Sequence, residues 1–237
     1  MATLFPLRYT RIQQAVNTRR VLLDSALHEF AASGFDAAST RAIAARAGVR
    51  QGQLTYHFES KVVLWRAAVD YLFGRFDVEF SAALEPGSDA DPASLLAASV
   101  RALVRSVSRL PELNRIMVHE ATADSDRLAW IVETHVRGRF EQIGVVWRRV
   151  CECGATNLDV DPVIIYYTLL GAASLLYVNA AEARRLLGRD GSNDFITDAL
   201  IETHADTLVA MLLGQGASPA PLPALVPCKT SFCQTAT

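Results

Sequence analysis

Residues 39–64 read STRAIAARAGVRQGQLTYHFESKVVL, and the fold turns on how that stretch is parsed. Ser39 or Thr40 offers an N-cap for a short helix carrying Ile43, Ala44 and Ala47. Gly48 breaks it, and a second short helix runs from about Arg50 to His57. Ser60 caps a third that continues from Lys61 to about Ala83. Two short helices around a glycine turn make a helix-turn-helix. The small residues of the first let the second cross closely. Val49, Leu54 and Phe58 are expected to be buried beneath the second helix, leaving Arg50, Gln51, Gln53, Thr55 and Tyr56 outside. A helix fits the major groove of DNA, where Arg and Gln side chains pair with guanine and adenine edges.

Working outward, Leu22, Ala26 and Phe30 recur every four residues, so a helix is expected from Thr18. Gly34 follows as its stop, with Phe35 free to fold back on the last turn. Residues 1–17 lack a period and read as a flexible arm. Beyond residue 84, EPGSDADP reads as a loop with Asp91 as cap and Pro92 in the next first turn. Helices are then expected over about 93–109, 111–122, 125–152, 162–187 and 194–213, with a turn at 188–193. Residues 215–237, rich in Ala, Pro, Ser and Thr, read as a disordered tail. No strand-like alternation is long enough to matter, so the expected class is all-α. A three-helix head over 18–64 precedes a larger helical bundle over 65–214.

The run A-G-V-x-x-G-x-L-x-x-H-F-x-S-K, from Ala47 to Lys61, resembles the DNA-binding signature of the TetR/AcrR family of transcription regulators. The helix ending in Gly34-Phe35 and the following Ser39-Thr40-x-x-Ile43-Ala44 resemble it too. The likeness covers about residues 18–65. It implies a ligand-responsive repressor, a homodimer on a palindromic operator, paired through 162–187 and 194–213, and a small-molecule effector pocket in the C-terminal domain. Carried over by position, Thr40 and Lys61 are expected at phosphates, and Arg50, Gln51 and Gln53 at bases. Tyr56 and His57 fall where the backbone is touched. Many members have Tyr directly after the Leu; here Thr55 stands there and the aromatic comes next, so the Thr55 hydroxyl can replace one phosphate contact. The competing readings are plain: Lys61 as a solvated helix start, Tyr56 packed on the first helix, Gln51 and Gln53 facing water.

Charge agrees with a DNA-binding head. Residues 1–64 carry 8 Lys and Arg against 4 Asp and Glu, while the whole chain has 23 against 25. Hydrophobic residues make up 51% of the 237 and charged residues 20%, which suits a packed protein and not a disordered one. Cys151-x-Cys153 and Cys228-x4-Cys233 lack the spacing of zinc or redox motifs, and free thiols in a cytoplasmic protein are expected. Met1–Arg20 has scattered Arg and no sustained apolar core, so no signal peptide is expected. The uncharged run 163–181 approaches a membrane span in length, but its Tyr, Thr, Ser and Asn favour a buried interface helix, so no membrane association is expected. No phosphate loop, nucleophile elbow or H-E-x-x-H is present, so an enzyme is not expected. A helical module that binds a ligand or protein without operator DNA is the alternative.

For the effector pocket, the candidates are aromatic side chains of the later helices, most with polar tips, together with Met117 and Glu120 beside them: Met117, His119, Glu120, Trp130, His135, Phe140, Trp147, Tyr166, Tyr167 and Tyr177. Ordinary core packing is the alternative for each. His119, Glu120, Glu133 and His135 suggest a metal, but neighbours one or two residues apart diverge around a helix with about 100° per residue. No metal and no cofactor is expected.

Overall fold

The structure is a computed structural model that describes residues 5–83, 91–188 and 195–214. The expected tail 215–237, most of the loop before Pro92 and most of the 188–193 turn lie outside these residues. Every regular element described is helical: α1 Phe5–Ala37, α2 Thr40–Arg46, α3 Gln51–His57, α4 Lys61–Ala83, α5 Pro92–Arg109, α6 Pro111–Glu120, α7 Asp126–Ile131, α8 Arg137–Glu152, α9 Pro162–Val178, α10 Ala180–Leu186 and α11 Asp198–Leu213.

Caps fix most of the starts. The Ser39 hydroxyl accepts from the Ala42 amide at 3.3 Å, Ser60 from Val63 at 3.2 Å, and Asp91 from Ala93 and Ser94 at 3.0 and 3.1 Å. Of the two candidates for the α2 cap, Ser39 holds it. Thr197 accepts from Leu200 at 3.2 Å, so the last helix starts at Asp198 and not at 194. At the other end of the chain α1 starts at Phe5, well before Thr18. Residues 13–17 are exposed, and so this part of the helix shows no apolar period.

The expected helices 125–152 and 162–187 are both interrupted. Between α7 and α8, Val132–Val136 form a single π turn, in which the Arg137 amide donates to the Val132 carbonyl. The second break falls at Asn179, where α9 and α10 meet at 67°. Polarity changes there: α9 is uncharged, whereas α10 carries Glu182, Arg184 and Arg185. Arg115 also donates to the Val178 carbonyl at 3.3 Å, occupying an acceptor freed at the break. Among the described residues no single helix is long and apolar enough to cross a membrane.

One buried cluster runs through the whole assembly. In the head, Leu22, Ala26, Leu27 and Phe30 of α1 close on Ile43, Ala44, Leu54 and Phe58. Leu64, Trp65, Ala68, Val69, Leu72, Phe73 and Phe76 then carry the cluster along α4 into the body. There α5 is central, packing on α4, α8, α9 and α11. The head meets the body again where α1 crosses α6.

Gly34 sits at that crossing. Its φ of 73° and ψ of 175° place it in a region that is essentially glycine's alone. Phe35 folds back as expected, its ring 6.1 Å from Phe30 and 6.0 Å from Trp65, although the chain then takes one more helical turn. A Cβ on Gly34 would also lie 3.2 Å from Nδ1 of His119 on α6. Gly34→Ala is therefore expected to lower stability by about 1–3 kcal/mol in urea unfolding. Adding His119→Ala should restore only part of the loss, because the backbone strain remains. A neutral Gly34→Ala would remove this account of the junction.

Candidate DNA-contact face and inner cavity

The second helix of the head presents the face that its sequence predicts. Leu54 and Phe58 are buried beneath α3, while Arg50, Gln51, Gln53, Thr55 and Tyr56 are exposed, Tyr56 by 85%. Val49 departs from expectation, being only half-buried: it lies in the turn, its amide donating to the Ala44 carbonyl at 3.0 Å. Several of the polar groups hold one another. The Gln51 amide donates to the Thr40 hydroxyl at 3.2 Å, tying the start of α3 to the start of α2. Gln53 accepts from the Arg50 amide at 3.2 Å, and Thr55 donates back to the Gln51 carbonyl at 3.1 Å. Half-buried His57 packs edge-on to Tyr56 at 5.4 Å.

Lys61 is not simply solvated. Its ammonium donates to the Asp36 carbonyl at 3.0 Å and sits 4.8 Å from the centre of the Phe35 ring. Arg127 lies 4.1 Å from the same ring, pairs with Asp36 at 3.8 Å, and pairs with the buried Glu120 at 2.9 Å. Thus Phe35 of the head makes cation–π contacts with a lysine of α4 and an arginine of α7.

A cavity of about 630 Å³, open to solvent on the side of Asp77, Thr134 and Gln142, lies between α4, α5, α8, α9 and the π turn. Phe76, Phe80, Val100, Leu103, Ile143, Val146, Leu169 and Leu170 supply its apolar wall. Thr134, His135, Arg139, Gln142, Tyr166 and Asp77 are the main polar groups. Of the ten candidates for this role, His135 and Tyr166 line it. The others are placed elsewhere, each with a physical reason. Trp147 is core, its indole donating to the Val160 carbonyl at 3.1 Å. Tyr177 is buried against His204 at 3.0 Å, and Glu120 is spent on Arg127. His119 lies against Gly34, Trp130 packs 5.6 Å from Trp65, and Met117 packs on the core from α6. Phe140 sits edge-on behind Tyr166 at 5.4 Å, whereas Tyr167 faces outward, 66% exposed. The wall residues that the sequence did not single out include Phe76 and Phe80 of α4, whose spacing of four was the available signal. Among the described residues no three His, Cys, Asp or Glu side chains converge as metal ligands.

Residues 22–68 match the sequence profile of the bacterial regulatory proteins of the tetR family. The head is a tetR-type module. No curated protein matches the chain. Solved structures share its architecture. One is AibR in complex with isovaleryl coenzyme A and operator DNA, 23% identical, covering 83% of this chain and 98% of its own, with a TM-score of 0.64. Another is a candidate fatty acid metabolism regulator of Clostridium perfringens, 14% identical, covering 82% and 97%, TM-score 0.62. A TetR-like transcriptional regulator from Rhodococcus sp. RHA1 is 20% identical over 82% and 92%, TM-score 0.59. At these identities the likeness establishes the fold, all-helical with the tetR-type head first. Together, head and fold support DNA-binding transcriptional regulation.

Burial also sets the acid–base behaviour of the body. His135, stacked on Phe73 at 4.3 Å, and His204 are both held below the ordinary imidazole range, chiefly by burial; Asp70 beside His135 only partly opposes this. Burial, and then Glu202, pushes Tyr177 up to about 12. As pH falls through the ordinary imidazole value of 6.5, the unfolded chain takes up protons before the folded one. Stability present above that pH is then lost. On the alkaline side Tyr177 ionises first in the unfolded chain, so stability falls again between the ordinary tyrosine value of 10 and about 12. Melting temperatures across this range should show both declines, and His204→Gln should flatten the acid one. A profile flat from pH 7 to 5 would contradict this assignment.

Proposed function

We propose that the chain is a ligand-responsive transcription regulator, a homodimeric repressor that releases a roughly palindromic operator when a small molecule fills its inner cavity. The observation that carries the proposal is the outward polar face of α3, Gln51 through Tyr56, held over a core sealed by Leu54 and Phe58. In this reading Arg50, Gln51 and Gln53 meet base edges in the major groove. Thr40, Thr55, Tyr56, His57 and Lys61 meet the phosphate backbone and set the docking angle. Gln51 enters the groove with its amide already oriented by Thr40.

The effector would bind among α4, α5, α8 and α9. The AibR structure, whose operator DNA and isovaleryl coenzyme A occupy one complex, supports pairing the two activities on this fold. Dimerisation would use α9, α10 and α11. On α9 the outer side carries Ile164, Tyr167, Thr168, Gly171, Ala172 and Leu175, all exposed, and Met211 of α11 is 70% exposed. An apolar stripe interrupted by small residues lets a second copy approach closely. Two-fold pairing there would give the heads matching symmetry, hence a palindromic site, in a protein working in the cytoplasm.

Selection of bound genomic fragments, followed by footprinting, tests the proposal directly. A protected two-fold site is expected. No retardation of sheared genomic DNA even at low salt would leave a ligand- or protein-binding module without an operator. Lys61→Ala is expected to weaken binding to every sequence and flatten the log–log salt dependence by roughly one unit. Gln53→Ala should instead cost about 1–3 kcal/mol of discrimination at one base pair. An unchanged salt slope would remove Lys61 from the phosphate contacts. A monomer at micromolar concentration in sedimentation would overturn the dimer.

A further inference from the structure

Arg139 and Asp77 are the charged lining residues of the cavity, and they are paired with each other. One terminal nitrogen of the Arg139 guanidinium donates to the Asp77 carboxylate and the other to the His135 carbonyl. The guanidinium carbon lies 5.1 Å from the centre of the Phe73 ring and 5.9 Å from that of Phe76. The His135 ring is engaged as well, its Nε2 3.0 Å from Asp70 and its face on Phe73. Against these stand four polar groups with no hydrogen bond to another described residue: the Tyr166, Thr134 and Ser81 hydroxyls and the Gln142 amide. All four are uncharged, and each can donate and accept. Half-buried Tyr166 lies with Phe80, Leu103, Ile143, Val146 and Leu169 along the apolar lining, whereas Thr134, Gln142 and Ser81 stand on the exposed side of the cavity.

We propose that the cavity selects an uncharged, mainly apolar ligand with one or two hydrogen-bonding oxygens, such as an ester, ketone, lactone or alcohol, and that Asp77 sets this selectivity by holding the charge of Arg139. This inference rests on the sensor role proposed for the cavity. A carboxylate entering the same space loses part of its water. It finds no free counter-charge, because drawing Arg139 across removes that cation from Asp77 and exchanges one ion pair for another. An ester or alcohol leaves the Arg139–Asp77 pair intact and spends its oxygen on Tyr166, Thr134 or Gln142. Asp77 is half-exposed at one side of the cavity, with 56% of its side chain open to water, so its charge can be removed without opening the core.

Displacement of the neutral dye Nile red from the full-length protein at pH 7.5 tests the idea, with methyl octanoate, 1-octanol and octanoate as competitors. Methyl octanoate and octanol are expected to displace the dye at concentrations at least about tenfold below octanoate. Part of that gap reflects the greater hydrophobicity of the neutral compounds, so the deciding measurement is its change on substitution. Asp77→Asn frees Arg139, and octanoate should gain about tenfold, the scale of one charge-assisted hydrogen bond, while methyl octanoate stays within about twofold. Adding Arg139→Gln should abolish the gain. Asp77→Ser serves the same purpose should Asp77→Asn fail to fold. An octanoate-to-ester ratio unmoved by both substitutions, or octanoate the better competitor in the unaltered protein, would overturn the assignment. If Nile red does not bind at all, the sensor reading of the cavity falls and takes this inference with it; a dye that binds with the wrong selectivity leaves the sensor reading standing.

Discussion

The apolar stripe of α4 is the constraint on which the rest of the structure depends. Leu64 and Trp65 are fully buried where the head closes, and Ala68, Val69, Leu72, Phe73 and Phe76 continue the same stripe into the body. Burying a large side chain of this kind contributes about 1.5–3 kcal/mol, so several of them on one helix dominate any single polar contact nearby. Neither head nor body can complete its core without α4. A boundary drawn between residues 64 and 65 therefore separates sequence motifs, while the packing runs straight through it. The helix begins at Lys61, beside the proposed DNA face, and carries Phe76 and Phe80 on the cavity wall.

In the proposed regulator a continuous α4 would link the cavity to the head, but a rigid rod alone does not make a switch. Effector and operator must favour different arrangements, and a ligand indifferent to the two shifts nothing. The junction provides contacts whose energy depends on how the body sits on the head. Arg127 and Lys61 approach Phe35 from α7 and α4, and Arg127 also joins the buried Glu120 to Asp36 of the head. Trp130 reaches from Trp65 to His135 within one chain of ring contacts, 5.6 Å and then 5.3 Å between centres. The π turn that follows α7 supplies Thr134 and His135 to the cavity. Displacement of this turn by a ligand would load α7, and with it both Arg127 and Trp130.

The head was legible in the sequence because its geometry is local. Gly34 and Gly48 mark positive φ, Ser39 and Ser60 mark helix starts, and an apolar repeat of three or four residues assigns Leu54 and Phe58 to the inside. Even there, local reasoning placed Val49 too deep, and the hydrogen bond from Lys61 to the Asp36 carbonyl had no signal in the sequence. The cavity was far less legible. Its wall is set by how four helices cross, and the sequence gives each helix a phase without giving their mutual register. Aromatic residues with polar tips were a poor guide, since Trp147, Tyr177 and Trp130 satisfy those tips or rings within the core. The π turn added a further displacement: a sequence periodicity assumed regular through 125–152 misphases everything after Val132. Side chains that do line the space, Phe76, Phe80, Leu103 and Ile143, look in sequence like any other core.

The position of α9 ties these strands together. Tyr166, Leu169 and Leu170 point one side of it into the cavity, while Ile164, Tyr167, Gly171 and Leu175 leave the other side exposed. The two sides interleave along a helix whose backbone is hydrogen-bonded throughout, so one cannot shift far without moving the other. If the exposed side carries the partner copy, cavity and dimer interface share a wall one helix thick, some 10 Å across. A ligand that swells the cavity would then act on two surfaces at once, on α4 toward its own head and on α9 toward its twin. In such a dimer the separation of the two heads would be set by both. A regulator built this way needs no long relay: the same packed side chains that close the core determine whether both α3 helices meet the duplex in register.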